Sequence, residues 1–98
     1  MTTGTTPAAY SSTYGHIVTV ALTQGWSVSH RDFAPGRSQL TAQRGNDTLA
    51  FTFDSRFSDD GVYCLADITL TQLTPDETGY TERPWPISLI DALEVLTS

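Results

Sequence analysis

The chain has 98 residues, 39% of them hydrophobic, which fits one small domain with a single core. The formal net charge is −6, all five basic residues are arginine, and one cysteine, Cys64, excludes an internal disulfide. We find neither a secretory leader pattern nor an apolar run long enough to span a membrane, so we expect a cytoplasmic protein without a membrane partner.

Charge is distributed unevenly along the chain. No charged residue precedes Arg31, whereas segment 57–98 holds eight acids and Arg83 as its only cation. Binding to nucleic-acid phosphates requires clustered Lys or Arg, so we expect no direct contact with DNA or RNA. The acids of this segment are Asp59, Asp60, Asp67, Asp76, Glu77, Glu82, Asp91 and Glu94.

The first predicted element is a helix, helix one. A hydroxyl within Ser11–Thr13 is suited to cap its start, Gly25 to end it, and Trp26 to fold back on its last turn. Apolar residues at helical spacing predict its buried stripe, which is Tyr10, Tyr14, Ile17, Val18, Ala21 and Leu22.

Four segments then alternate between apolar and polar residues and predict β-strands: "WSVSHRDF", "SQLTAQR", "TLAFTFD" and "VYCLADITLTQL". The stretches "APGR", "GND" and "SRFSDDG" connect them and carry turn residues. The predicted inward rows are Trp26, Val28 and His30; Leu40 and Ala42; Leu49, Phe51 and Phe53; and Val62, Cys64, Ala66, Ile68 and Leu70.

The polar stretch "TPDETGYTERP" predicts a loop, and "WPISLIDALEVLTS" predicts helix two, with Pro86 in its first turn and a capping-box pattern at Ser88 and Asp91. Residues 1–9 predict a flexible tail, which leaves 10–98 as a single domain. The order α-β-β-β-β-α predicts an α+β fold: a four-stranded antiparallel meander with both helices on one face. The stripe expected in helix two is Leu89, Ile90, Leu93 and Leu96.

The stretch "FDSRFSDDGVYC" gathers three aspartates, an arginine and the cysteine. A calcium loop needs oxygen donors at alternating positions, but Arg56 occupies one of them and no closing acid follows, so we expect no metal and no cofactor. We interpret the stretch as a hairpin loop in which Asp-Asp-Gly makes the turn. Cys64 lies on a predicted core row without a base nearby in sequence, which argues against an enzyme; a small enzyme using Cys64 with His30 remains an alternative.

Two features predict binding. Strict alternation places Tyr63 and Leu65 beside Asp67 on the sheet face away from the helices, where apolar residues are typical of a contact surface. The outer face of helix one, from Ser12 to Thr23, carries no charge, which leaves open a homodimer through this helix. The predicted partner-binding residues are Asp59, Asp60, Tyr63, Leu65, Asp67, Asp76 and Glu77.

The predicted order is similar to that of the double-stranded-RNA-binding fold, but helix two carries Asp91 and Glu94 and lacks that family's basic patch. The stretches "HIVTVALTQGW", "RGNDTLAFTFD" and "SLIDALEVL" give a layout of helix, Gly-Trp, meander and helix. This layout resembles small accessory proteins of actinobacterial phages and prophages. The resemblance implies a role in binding or inhibiting a host protein and transfers no functional residue.

We therefore expect a non-catalytic protein-binding module of phage or mobile-element origin, which binds a cytoplasmic host protein through an acidic, partly aromatic surface. One alternative is an acidic mimic of DNA that blocks a host nucleic-acid-binding enzyme. Another is a structural protein that self-associates through helix one.

Overall fold

The computed structural model describes residues 10–56, 60–76 and 79–98, and their side chains at 10–56, 60–72 and 85–98. The strands form one antiparallel sheet in chain order, with β1 and β5 as its edges, and two helices complete an α+β fold. The elements are α1 (Ser12–Thr23), β1 (Ser27–Ala34), β2 (Arg37–Arg44), β3 (Asp47–Asp54), β4 (Cys64–Asp76), β5 (Gly79–Pro86) and α2 (Leu89–Thr97).

The antiparallel meander is confirmed, but the sheet has five strands where the sequence predicts four. The predicted loop at "TPDETGYTERP" is wrong, because β4 continues to Asp76 and β5 returns from Gly79. Prolines argue against a strand only where an N–H must bond to a neighbour, and an edge strand tolerates them at alternate positions. The polar composition and the prolines of this segment therefore led to the prediction of a loop where the structure has an edge strand.

Two tight turns set the register of the first three strands. Pro35-Gly36 joins β1 to β2, with Gly36 at φ 73°, as the predicted Pro-Gly turn requires. Gly45-Asn46 joins β2 to β3, and Gly45 at φ 62° takes the first central position, which matches a type II′ hairpin.

The end of α1 confirms the predicted Gly-Trp signal. Gly25 has φ 84°, its N–H donates to the carbonyl of Leu22, and the N–H of Trp26 donates to Ala21 at 2.9 Å. The predicted side-chain cap at the start of α1 is wrong: Ser11 makes no such bond, and its backbone N–H donates to Tyr63 instead.

The start of α2 is capped as predicted, since the hydroxyl of Ser88 accepts the N–H of Asp91 at 3.1 Å. The helical stripes are confirmed in part: Ile17 and Ala21 of α1 and Leu96 of α2 are fully buried, as predicted. Ile90 is 72% exposed and Leu22 is 58% exposed, although both were expected inside. The residues that the two helices bury fully are Ile17, Ala21, Ala92 and Leu96.

These helical residues form one hydrophobic core with one face of the sheet. The predicted inward rows of β2 and β3 are confirmed, and so are Ile68 and Leu70 in β4. The first half of the predicted β4 row is wrong: Cys64 and Ala66 are exposed. The buried sheet residues are Ser38, Leu40, Ala42, Leu49, Phe51, Phe53, Ile68 and Leu70.

A β-bulge explains this error. Thr52 pairs with Asp67, but the next residue of β3, Phe53, pairs with Leu65, so Ala66 is an extra residue in β4. One extra residue reverses the side-chain alternation. Tyr63 and Leu65 consequently pack against the core, not on the opposite face.

Candidate functional site

Polar and aromatic side chains gather where the chain enters α1, next to the core. Tyr10 stacks on Tyr63, with ring centroids 4.7 Å apart, and its ring lies tilted against that of Tyr14, with centroids 4.3 Å apart. Tyr10 also meets Phe53 edge-on. We call this group the tyrosine–histidine cluster; its members are Tyr10, Tyr14, His30, Asp32, Ser38 and Tyr63.

A chain of hydrogen bonds crosses the cluster. The Oη of Tyr14 lies 3.1 Å from Nδ1 of His30, and Nε2 of His30 lies 3.0 Å from a carboxylate oxygen of Asp32. Tyr10 bonds the buried hydroxyl of Ser38 at 3.0 Å. These bonds join the start of α1 to β1 and β2.

Burial raises the pKa of the Tyr10 and Tyr14 hydroxyls, so both tyrosines keep their protons at neutral pH. A carboxylate oxygen only accepts, so Nε2 of His30 donates to Asp32, and Nδ1 shares its hydrogen bond with the Tyr14 hydroxyl. Both ring nitrogens are thus engaged within the protein. This arrangement suits positioning of α1 better than abstraction of a proton from a substrate.

The opposite side of the sheet defines a second candidate surface, which we call the helix-free face. It consists of the side chains that alternate with the core rows. Two neighbouring rows that cross the middle of β4, which we call the central rows, carry no charge, and each of their side chains is exposed or half-buried. From β1 to β4, the first row is Ser29, Thr41, Ala50 and Thr69. The second row, in the same order, is Ser27, Gln43, Thr48 and Thr71. The next row toward the β1–β2 turn holds Arg31 and Asp67.

Charged side chains lie at the β1–β2 turn end of this face. Asp54 is 7% exposed and receives hydrogen bonds from Arg56, at 2.8 Å to its Oδ2, while Nε of Arg37 lies 3.3 Å from the same oxygen. The bonds from the Arg56 side chain hold the pKa of Asp54 below its usual value. The Arg37 guanidinium also lies over the Phe33 ring, 5.0 Å from its centroid.

The structure separates the predicted partner-binding residues. Tyr63 and Leu65 lie half-buried on the helix side, so their predicted position on the helix-free face is wrong. Asp67 is exposed on the helix-free face, next to Thr52.

Asp60 is exposed in the loop before β4, where its carboxylate accepts the N–H of Val62 at 3.2 Å, as its predicted turn role requires. Asp59 and Glu77 lie outside the described residues. Asp76 ends β4, and its side chain lies outside the described part.

Cys64 and His30 lie on opposite faces of the sheet. Cys64 pairs with Asp54 and shares the helix-free face, whereas His30 points to the helix side opposite Leu40. A Cys64–His30 dyad is therefore not formed. Within the described residues we find no group of three metal-ligating side chains. No helix in the described part is long and apolar enough to cross a membrane.

Sequence reasoning missed the tyrosine–histidine cluster, although it placed Tyr10, Tyr14 and His30 on inward stripes. The missing information was tertiary: the β1–β2 pairing places His30 and Asp32 near Ser38, and the parallel bridge between Tyr10 and Tyr63 adds the start of α1. An apolar stripe that includes two tyrosines is the available signal, because a buried tyrosine hydroxyl requires a polar partner.

Comparison with protein-family models, with curated proteins and with solved structures found no match to this chain. The fold defines the class: a small α+β domain in which, among the described residues, the two helices pack on one face of the antiparallel sheet.

Proposed function

We propose that the protein is a non-catalytic protein-binding module whose partner docks on the helix-free face. The observation that carries the proposal is the pair of uncharged central rows in a chain of net charge −6. An exposed surface of a small domain ordinarily mixes charges of both signs.

A protein partner fits this face better than a nucleic acid. Phosphate contacts need several cations, and the central rows contain none; Arg31 and Arg37 elsewhere on the face are offset by Asp67 and Asp54. Asp67, in the row that also holds Arg31, and Asp60, in the loop before β4, are the acids that favour approach of a basic surface. The two aspartates therefore act mainly by raising the association rate with the partner. The uncharged rows supply the contact area.

Two further observations support the non-catalytic part of the proposal. Both nitrogens of His30 already bond to Tyr14 and Asp32. Cys64 has no histidine on its own face of the described sheet. The proposed phage or mobile-element origin and a cytoplasmic host partner rest on the helix, Gly-Trp, meander and helix layout alone.

Affinity capture with matched variants tests the proposal. Thr69→Arg places a cation in a central row, and Thr19→Arg places the same cation on the exposed outer face of α1. We expect the wild type and Thr19→Arg to capture the same partner from lysate of a GC-rich actinobacterial host, and Thr69→Arg to lose it. Equal capture by both folded variants contradicts docking on the helix-free face.

A further inference from the structure

The two edges of the sheet differ in their unpaired backbone groups. In β5, Trp85 pairs with Leu70, and the N–H of Ile87 donates to the carbonyl of Ile68 at 3.1 Å. Alternation then directs the backbone of Pro84 and Pro86 away from β4. Proline has no N–H, so Pro84 and Pro86 offer no donor to an added strand, while Tyr80 and Glu82 keep their outward N–H groups.

The β1 edge has no such protection. The two-residue loop makes Arg44 and Asp47 a hydrogen-bonded pair, and alternation makes Ser29–Thr41 and Arg31–Gln39 hydrogen-bonded pairs as well. The N–H and C=O groups that point out of the sheet therefore belong to Val28, His30 and Asp32.

No backbone or side-chain hydrogen bond within the described residues reaches these outward groups. Of the residues 27–32, only Val28 is half-buried and the rest are exposed. Side chains on both faces of β1 are thus at least partly in solvent, although His30 also bonds to Tyr14 of α1, and within the described residues no strand pairs with the outer side of β1. An open strand of this kind is a template for pairing with another strand.

We propose that β1 pairs antiparallel with β1 of a second copy, with His30 opposite His30 of that copy. A two-fold axis normal to the sheet leaves the helices of both copies on the same side of the joined sheet. Each residue of β1 must then lie opposite a residue of the second copy whose side chain is on the same face. Axes at Arg31 or Asp32 place like charges directly opposite, which is destabilising. If the axis passes at Val28 or Ser29, the outward N–H and C=O groups of Asp32 have no partner in β1 of the second copy.

The register centred on His30 uses all of the outward groups. Val28 then faces Asp32 of the second copy, and each Asp32 lies diagonally beside the other copy's His30, so each copy adds a carboxylate to the other's tyrosine–histidine cluster. Ser29 faces Arg31 of the second copy without a clash of charge. The two sheets become one, and the helix-free faces join side by side.

Cysteine cross-linking tests directly which residues of the two β1 strands lie opposite each other. In a Cys64→Ser background, Ser29→Cys and Arg31→Cys occupy facing positions whose Cα atoms are about 4.5 Å apart, within disulfide range. We expect mild oxidation with diamide to give disulfide dimers when the two variants are mixed, and none when either is oxidised alone. Mass spectrometry identifies which chains are joined.

Other cross-links overturn the proposal. Dimers from Ser29→Cys alone or from Arg31→Cys alone indicate a different register, and dimers from Thr19→Cys indicate association through α1. Sedimentation equilibrium of the unmodified chain is independent of these substitutions. Edge pairing buries little area, so a weak dimer is expected, and a monomer at concentrations up to about 1 mM contradicts the proposal. Neither experiment involves the partner protein of the proposed function.

Discussion

The indole N–H of Trp26 donates to the backbone carbonyl of Leu96 at 3.0 Å, across 70 positions of sequence. The Arg44 guanidinium lies over the Trp26 ring, 4.5 Å from its centroid, and donates to the carbonyls of Gln24 and Ser98. One buried tryptophan and one arginine thus join the C-terminal ends of both helices to the sheet. These bonds hold the helices on one face of the sheet.

Replacing Trp26 with Phe tests the bond to Leu96. The carbonyl of Leu96 loses its donor in a buried site, so we expect the free energy of unfolding to fall by about 1–3 kcal/mol. Trp85→Phe is the matched control, since Trp85 is 37% exposed, and a change within about 0.5 kcal/mol is expected. Urea unfolding followed by circular dichroism measures both; equal losses contradict the assigned role of Trp26.

Two glycines of the α1 region should respond in opposite directions to alanine. Gly25→Ala forces a side chain into φ 84°, and we expect a loss of stability of about 1–2 kcal/mol. Gly15→Ala adds a methyl group in open space within the helix, and we expect a gain of about 0.5–1 kcal/mol. Chemical denaturation compares the pair, and changes of the same sign contradict the assigned end of α1.

The tyrosine–histidine cluster predicts a loss of stability at alkaline pH. The pKa values of Tyr10 and Tyr14 are raised in the folded chain above the ordinary value of 10.0. Their contribution to stability is therefore complete below that value and is lost as the pH rises through the folded pKa values.

Melting temperatures measured across alkaline pH test this expectation. Substituting both Tyr10 and Tyr14 with Phe removes the titrating hydroxyls and should flatten the decline. An equally steep decline in the double variant assigns the alkaline sensitivity to other groups.

The bulge in β4 makes a prediction that reverses the one from sequence. Tyr63→Ala removes a side chain packed on the core, and we expect a loss of about 1–2 kcal/mol. Cys64→Ala changes an exposed residue and should alter stability by less than about 0.5 kcal/mol. The opposite ranking in thermal or urea unfolding supports strict alternation without a bulge.

Local signals were enough for most of the fold. The Gly25–Trp26 end of α1, the Ser88 cap of α2 and the inward rows of β2 and β3 follow from residue types and spacing, because each depends on neighbours close in sequence.

The features that sequence reasoning missed depend on distant pairing. Alanine at position 66 does not indicate a bulge by its residue type. Segment 79–86 is a strand only because it pairs with β4. The cluster around His30 needs the bridge from Tyr10 to Tyr63. Because of the bulge, Tyr63 and Leu65 pack against the core and do not lie on the expected binding surface.

The central claim, that a protein partner covers the helix-free face, is tested most directly by thiol protection in the complex with the captured partner. In a Cys64→Ser background, Thr69→Cys places the probe in a central row and Thr19→Cys places it on the outer face of α1. We expect alkylation of the cysteine at position 69 by a maleimide to slow at least about tenfold on complex formation, while alkylation at position 19 is unchanged. Protection at position 19 with free reaction at position 69 contradicts the claim.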